Sequence, residues 1–436
     1  MSLKKVPVVI VGGGIAGMSA AHCLAKEGRD FLLLEQSEKL GGVIATKKGG
    51  PYFLETGPFS FLPKAKLIFE MAQELGLQEE IVEAKESAAK NRFILKKQKL
   101  YRLPLTAKDF LFSSLLSPWA KLRFLLEPFA KKPPLEEETI AAFVKRRAGQ
   151  AVLDNMIGPF VSGVVAGDPY RLSLSAQFPI FATLEKEYGS LLRAFQRRKK
   201  ENRPKQTLFS FKEGMESLPK AFLKKYGSQV RCNTTVLEIK SILQNHPVIL
   251  TTPAYVSAKL LRPFSEVLFQ ELASIYYAPI VLVHAAYSRN QIGHPLNGFG
   301  FLSAAGETHP LLGSIWASSV FEGRSPKEDV LLTFYFGGAK YPEAINWPDE
   351  KYLEVIQKIA NPVLKISGDC KKYWIQKHEK AIPQYFLGHQ KKIETIEKET
   401  SKIKGLHLVG NYFSGVSLDE AASHAKKIAQ SMRRPQ

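Results

Sequence analysis

Residues 6 to 17 read Val-Pro-Val-Val-Ile-Val-Gly-Gly-Gly-Ile-Ala-Gly. An apolar run of strand length meets a Gly12-x-Gly14-x-x-Gly17 spacing, and Ala21 follows on what reads as a helix. A second apolar run, Phe31-Leu32-Leu33-Leu34, ends at Glu35. A strand that turns into a helix over such glycines brings free N–H groups and the positive end of the helix dipole against an anion. Gly12 makes the turn, Gly14 lets a phosphate reach the main chain, and Gly17 lets helix and strand pack closely. Glu35 stands 18 residues beyond Gly17, where a carboxylate takes the ribose hydroxyls and repels a 2′-phosphate. The pattern predicts a dinucleotide site built on Gly12, Gly13, Gly14, Ile15, Ala16, Gly17, Glu35 and Gln36, for FAD or NAD rather than NADP.

The 436 residues exceed what one hydrophobic core usually serves, so two or three domains are expected, and 45% apolar content is that of a globular chain. Cys23, Cys232 and Cys370 are far apart with no CxxC pair, so neither a disulfide framework nor a metal site is indicated and a reducing compartment fits. The first apolar run begins within a few residues, which leaves no room for a signal or transit peptide and implies a cytoplasmic location. A net charge of +20 calls for an anionic partner. No helix-turn-helix, RNA-binding or finger pattern accompanies it, so nucleic acid is excluded; lysines on a solvated face account for part of the excess.

From about Leu100 to Lys132, large apolar side chains (Leu111, Phe112, Leu115, Leu116, Trp119, Leu122, Phe129) alternate with Lys108, Lys121, Arg123, Lys131 and Lys132. No run reaches the ~20 apolar residues of a spanning helix. Two readings stand: a monotopic element lying in a membrane interface, with lysines at the headgroups, or an ordinary core helix pair.

No repeat or low-complexity tract is present. Glu136–Gly149 reads as a helix with Ile140, Phe143 and Val144 on one side. Residues 184–206 read as charged and mostly helical, ending in the basic run Arg197-Arg198-Lys199-Lys200. Val248–Pro253 reads as a buried strand stopped by proline, and Leu406–Asn411 as a strand and turn before a helix from about Leu418. The cofactor domain is thus gathered from distant pieces of chain.

Glu35 to Ile44 contains a second glycine pair, Gly41-Gly42, and leads to Tyr52-Phe53-Leu54-Glu55-Thr56-Gly57-Pro58. This resembles the FAD-dependent amine oxidase superfamily. Within it, Ser162-Gly163-Val164-Val165-Ala166-Gly167-Asp168-Pro169-Tyr170-Arg171-Leu172-Ser173, Gly298-Phe299-Gly300-Phe301-Leu302, Ile382-Pro383-Gln384-Tyr385 and Gly410-Asn411 with Gly415-Val416 resemble the oxygen-dependent protoporphyrinogen oxidase family over nearly the whole chain. The resemblance implies an α/β fold. A discontinuous Rossmann-like FAD-binding domain (1–87, 206–256, 384–436) would accompany a mixed α+β substrate domain (88–95, 257–383) and an inserted helical membrane-binding domain (96–205).

It also implies an activity: six-electron oxidation of protoporphyrinogen IX to protoporphyrin IX in haem biosynthesis. Hydride passes from a meso carbon to flavin N5, O2 accepts the electrons and hydrogen peroxide leaves. Coproporphyrinogen III is the close alternative substrate. The implied partners are the porphyrinogen, O2 and the inner face of the cell membrane, with ferrochelatase and a second copy of the chain left open.

Carried over residue by residue, Arg92 would pair with a substrate propionate, since a planar guanidinium binds a carboxylate bidentately. Phe299, Gly300 and Leu302 would pack on the pyrroles near the flavin, and Ile315 and Tyr335 on the opposing wall. FAD contacts would be Gly12 to Gly17, Glu35, Gln36, Gly42, Val43, Gly57, Pro58, Phe59, Ser60, Val236 in the strand after Thr234-Thr235, Gly410, Val416, Ser417 and Leu418. No catalytic side chain is needed, because the flavin accepts the hydride.

Two positions depart from the pattern. Val43 stands where amine oxidases usually have arginine and many porphyrinogen oxidases tryptophan, which argues against amine oxidation. Between Ile239 and Val248 the chain is too short for the usual β-meander of this cofactor domain, so FAD is held more loosely or a partner covers the gap. The more distant readings are an amine oxidase, which should show an aromatic cage and a Gly-Gly-Arg turn, a desaturase, and a flavin-free tetrapyrrole-binding protein.

Overall fold

The computed structural model describes residues 6–131, 134, 136–198, 207–413 and 415–432. Lys132, Lys199 and Lys200 of the two basic stretches lie outside the described residues.

The apolar runs of the glycine motif become a five-stranded parallel sheet in the order Leu406–Leu408, Val248–Leu250, Val8–Val11, Phe31–Leu34, Val230–Arg231. Val8–Val11 is buried on both faces, which explains its unbroken apolar run. One face packs Val8, Ile10 and Leu33 against the Ile15–Lys26 and Leu418–Ser431 helices, whose buried Ala20, Ala21, Ala421, Ala422 and Ala425 let the backbones approach. The other packs Val9, Val11, Leu250 and Leu408 against the Ala254–Leu261 and Glu266–Ala273 helices.

A second sheet of seven strands runs in the order Lys372–Pro383, Tyr277–Ser288, Asp329–Gly337, Leu311–Ile315, Gly300–Ser303, Phe93–Lys96, Lys99–Arg102. It is antiparallel except where Phe93–Lys96 lies parallel to Gly300–Ser303. One face buries Val281, Val283, Phe301, Leu332, Phe334 and Phe336 against Tyr352, Ile356 and Leu364 of the 349–364 helical segment. By the period of two, the opposite face carries Leu302, Ile315, Thr333, Tyr335, Leu282 and His284.

Between these sheets in sequence lies a helical region cored by Leu116, Ile140, Phe143, Val144, Val161 and Val165. Arg147, 2% exposed, bridges Glu127 and Glu185, and Arg146 bridges Glu138 and Glu185. Truncating one partner of such a buried pair costs about 3–5 kcal/mol, because the other charge is stranded.

Several local expectations are corrected here. The helix expected over 136–149 spans Ile140–Arg147, with Thr139 as its N-cap; Glu137 and Glu138 are spent on the Ser173 hydroxyl and on Arg146. The 184–206 region divides into Pro179–Tyr188 and Leu191–Arg198 at Gly189, whose φ of +66° ends the first helix. Val236 lies in no strand: the strand ladder stops at Arg231, and beyond it the Asn233 N–H to the Ser37 carbonyl and the Thr234 N–H to the Glu35 carbonyl tie the chain before Val236 without forming one. Where the meander is short, a Lys240–Asn245 helix stands instead. It leaves Val9, Leu32 and Leu34 lining an open notch of about 300 Å³.

In the 100–132 stretch the core-pair reading fails for the outermost side chains. Phe112, Trp119 and Phe129 are 80%, 80% and 81% exposed, while Leu115 and Leu116 are buried. Two of the stretch's cations are drawn onto main-chain carbonyls. Lys121 donates to the Leu111 carbonyl, and Arg123 donates to the carbonyls of Arg146 and Arg147 that end the Ile140–Arg147 helix. No helix among the described residues is long and apolar enough to cross a membrane.

Candidate active site between the two sheets

The glycine loop does what its spacing requires. A Cβ at Gly17 would lie 1.9 Å from the Gly12 carbonyl oxygen, and Gly12 itself has φ +109°. At Gly14 a Cβ would meet nothing within 4 Å. Gly14 is the N-cap of the Ile15–Lys26 helix, no side chain caps that helix, and its first turn holds no acid. Its first N–H groups are therefore offered outward, which suits a pyrophosphate. Thr251, at the end of the neighbouring strand, donates to the Gly12 carbonyl at 2.8 Å and braces the turn.

Glu35 is 8% exposed; its carboxylate accepts the Gly13 N–H at 2.6 Å and the Ser37 N–H at 2.8 Å. It is fixed beside the loop with lone pairs left for ribose hydroxyls. Gln36 is exposed next to it. The Thr234 N–H reaches the Glu35 carbonyl at 2.8 Å, which brings the segment leading to Val236 alongside.

The second glycine pair rests on the first. Gly41 donates to the Gly13 carbonyl at 2.8 Å, and a Cβ at Gly42 would lie 3.3 Å from Gly14 Cα. One step on, a Cβ at Gly57 would lie 2.0 Å from the Val43 carbonyl oxygen, so the Gly57-Pro58-Phe59-Ser60 turn is seated on Val43. Gly410 follows the last parallel strand, where a Cβ would lie 2.3 Å from the Tyr412 ring, and Ser417 caps the Leu418–Ser431 helix through a capping box with Glu420. This donor set, with an uncapped helix start, a fixed carboxylate and two glycine turns in line, fits an extended dinucleotide such as FAD.

The substrate-assigned residues meet on one sheet face. Gly300 pairs with Ile315, Ile315 with Thr333 and Thr333 with His284; one pair along, Leu302, Gly313, Tyr335 and Leu282 form a second row. Gly313 stands between Leu302 and Tyr335 in that row, and a Cβ there would lie 2.3 Å from the Phe301 carbonyl oxygen and 3.1 Å from Leu302 Cδ2. At Gly300, φ is +144° and a Cβ would lie 1.9 Å from the Ser314 carbonyl oxygen, so only glycine serves.

Arg92 sits at the edge of this face. Its guanidinium lies 5.6 Å from the Phe299 ring centroid, and Phe299 meets Phe59 edge-to-face at 6.4 Å. A residue expected on the substrate wall and one expected at the flavin turn are thereby in contact. Arg92 Nε is buried without a hydrogen-bond partner, and among the described residues no acid pairs with the side chain. Burial draws its pKa down from the ordinary value. A desolvated, unpaired guanidinium is costly unless an anion completes it. The Tyr335 hydroxyl has no hydrogen bond among the described residues, and burial first, then the Glu55 charge, raises its pKa.

Sequence reasoning missed four groups around this cleft. Thr251 braces the glycine turn. Arg324, wholly buried in the loop before the Asp329–Gly337 strand, donates to the Ser210 hydroxyl and the Phe211 carbonyl and so ties that loop to the small Ile81–Glu83/Phe209–Phe211 sheet. Near it, Glu55 accepts the Thr46 hydroxyl and the Met215 N–H, and desolvation pushes its pKa up to about 7. Tyr385 was quoted only as part of a motif. Single polar residues at strand ends carry no periodicity, so only spatial proximity reveals them.

The model of the flavin containing amine oxidoreductase family matches residues 15–433. The chain is 32% identical to a chloroplastic protoporphyrinogen oxidase of Nicotiana tabacum, over 97% of this chain and 84% of that protein. It is 26% identical to a coproporphyrinogen III oxidase of Staphylococcus aureus, over 97% and 98% of the two chains. A crystal structure from Exiguobacterium sp. 255-15 superposes with a TM-score of 0.84 at 22% identity, covering 99% of each chain. The glycine cradle, the fixed carboxylate and this full-length similarity lead to one conclusion: the chain is an FAD-dependent oxidoreductase that belongs to the flavin containing amine oxidoreductase family, in the group of the porphyrinogen oxidases.

Proposed function

We propose that this chain oxidises protoporphyrinogen IX to protoporphyrin IX. The observation that carries the reading is Arg92, a half-buried guanidinium with no acid partner among the described residues, set against Phe299 where the apolar face of Leu302 and Ile315 begins. A porphyrinogen has that shape and charge: a greasy macrocycle with anionic propionates on its rim. When bound, FAD supplies a two-electron acceptor that O2 re-oxidises to yield hydrogen peroxide.

The side chains do the rest by placement. Arg92 takes a propionate bidentately. Leu302 and Ile315 hold the pyrroles and exclude water, Gly300 and Gly313 keep the wall low enough for the macrocycle, and Phe299 with Phe59 joins that wall to the flavin-facing turn. Holding a meso carbon within ~3–3.5 Å of its acceptor is the main catalytic contribution. The contacts to FAD are those carried over above, Gly12–Gly17, Glu35, Gln36, Gly42, Val43, Gly57–Ser60, Val236, Gly410 and Val416–Leu418. The division into FAD-binding, substrate and helical domains is part of this reading.

One observation supports coproporphyrinogen III as the alternative substrate. The Tyr335 hydroxyl has no hydrogen-bond partner among the described residues, whereas Thr333 and His284 on the same face bond each other, and it is suited to a further propionate. The exposed Phe112, Trp119 and Phe129, with Lys108 and Lys131 beside them, support peripheral attachment to the inner face of the cell membrane. Ferrochelatase or a second copy as partner rests on the resemblance alone.

The test is turnover of both porphyrinogens side by side, with porphyrin fluorescence and peroxide as readouts. Equal failure of both with FAD-loaded protein would reject the reading. A preference for coproporphyrinogen III that Tyr335→Phe abolishes would establish the alternative.

A further inference from the structure

Asn411 and Gly415 lie on the path from the last parallel strand to Val416–Leu418, and two buried side chains hold that path. The Tyr385 hydroxyl donates to the Asn411 carbonyl and accepts the Gly415 N–H at 2.9 Å. His389 Nε2 donates to the Tyr412 carbonyl at 2.8 Å. The two rings stack with centroids 4.1 Å apart and planes 9° apart. Tyr385 is 0% and His389 4% exposed. Burial drives the imidazole pKa down to about 4 and the phenol pKa up, so both stay neutral and keep these donor roles.

The main chain around Tyr385 faces the other way. Its carbonyl accepts the Ser173 N–H at 2.8 Å, Phe386 bridges to Leu172, and beside them the side-chain Nε2 of Gln384 donates to the Val165 carbonyl at 2.9 Å. Val165 ends the Gly158–Val165 helix, whose Gly163 rests on Leu302 of the substrate face.

We propose that Tyr385 is a positioning residue for the cofactor. Its hydroxyl sets the path into Val416–Leu418, while its main chain anchors the 165–173 segment that lies over the substrate wall. One residue thereby holds the flavin side and the tetrapyrrole side in register. The inference rests on FAD lying against Val416–Leu418.

The variant is Tyr385→Phe, which keeps the ring and its stacking and removes only the hydroxyl. Apoprotein is titrated with FAD, following flavin fluorescence and the visible flavin spectrum, and its thermal midpoint is recorded separately. Loss of two hydrogen bonds predicts an FAD dissociation constant raised about tenfold, a changed flavin band and an apoprotein midpoint close to wild type. Unchanged FAD affinity and spectrum in the variant, with wild type binding FAD, would overturn the proposal. Failure of wild type itself to bind FAD would overturn the cofactor placement instead. Should Tyr385→Phe fold poorly, His389→Phe carries the same comparison, with a smaller loss of FAD affinity expected.

Discussion

Gly163 and Leu302 are in direct contact across the helix–sheet boundary: a Cβ on Gly163 would lie 2.2 Å from Leu302 Cδ2. Leu302 in turn closes over Gly313, where a Cβ would lie 3.1 Å from the same methyl. The helix can therefore sit on the substrate face only because its residue there lacks a side chain. Gly163→Ala should drive Leu302 off its rotamer, at about 1–3 kcal/mol of stability. The expected result is a several-fold rise in KM for porphyrinogen with FAD content unchanged. A normal KM would show that Leu302 does not face the substrate.

Arg92 gives the clearest loss of binding. Arg92→Ala should raise KM by roughly tenfold to a hundredfold, the range of a charge-assisted hydrogen bond worth about 1.5–3 kcal/mol. Arg92→Lys should recover only part of it, because an ammonium lacks the planar fork. Thermal stability should not fall in either variant, since the guanidinium has no acid partner to strand among the described residues. FAD affinity should also hold, and fluorescence titration checks it.

Glu55 predicts a pH dependence of stability. Desolvation raises its folded pKa to about 7 from the ordinary 4.5, only partly opposed by Arg324. The folded state thus binds the proton more tightly than the unfolded chain. The stabilisation is fully present below about pH 4.5 and is lost as pH rises through about 7, amounting to on the order of 3 kcal/mol. Glu55→Gln should flatten the unfolding midpoint between those pH values. A slope identical to that of wild type would show that another group titrates there.

The exposed tip should govern lipid attachment. Replacing Phe112, Trp119 and Phe129 together by serine removes side chains that are 80% or more exposed, so folding and FAD binding should be unaffected. Co-sedimentation with anionic liposomes should drop severalfold. Equal sedimentation of variant and wild type would place the membrane contact elsewhere.

How much of this was legible from residues follows from the kind of signal each element carries. Val8–Val11, Gly12–Gly17 and Phe31–Glu35 could be read because local spacing alone dictates a strand, a phosphate turn and a ribose acid. Leu418 as the start of the last helix was equally plain, because Ser417 and Glu420 form its capping box. The meeting of Arg92, Leu302, Ile315 and Tyr335 depends on pairing between strands far apart in sequence, and only the resemblance anticipated it. Val236 was misread as strand because a β-branched residue after Thr234-Thr235 looks extended, whereas the short 239–248 segment leaves it no partner strand. Arg123 and Lys121 donate to main-chain carbonyls, a choice that composition cannot foretell. Thr251 and Arg324 act through contacts to chain more than a hundred residues away, and the Tyr385 hydroxyl through contacts 26 and 30 residues on, which no local pattern encodes.

The most direct measurement is anaerobic mixing of the FAD-loaded protein with protoporphyrinogen IX while the flavin absorbance is followed. The arrangement of Arg92, Phe299 and the glycine cradle predicts that the flavin band bleaches, and that admission of air restores it with porphyrin and hydrogen peroxide formed. A flavin band that stays oxidised in the presence of both protoporphyrinogen IX and coproporphyrinogen III would contradict it.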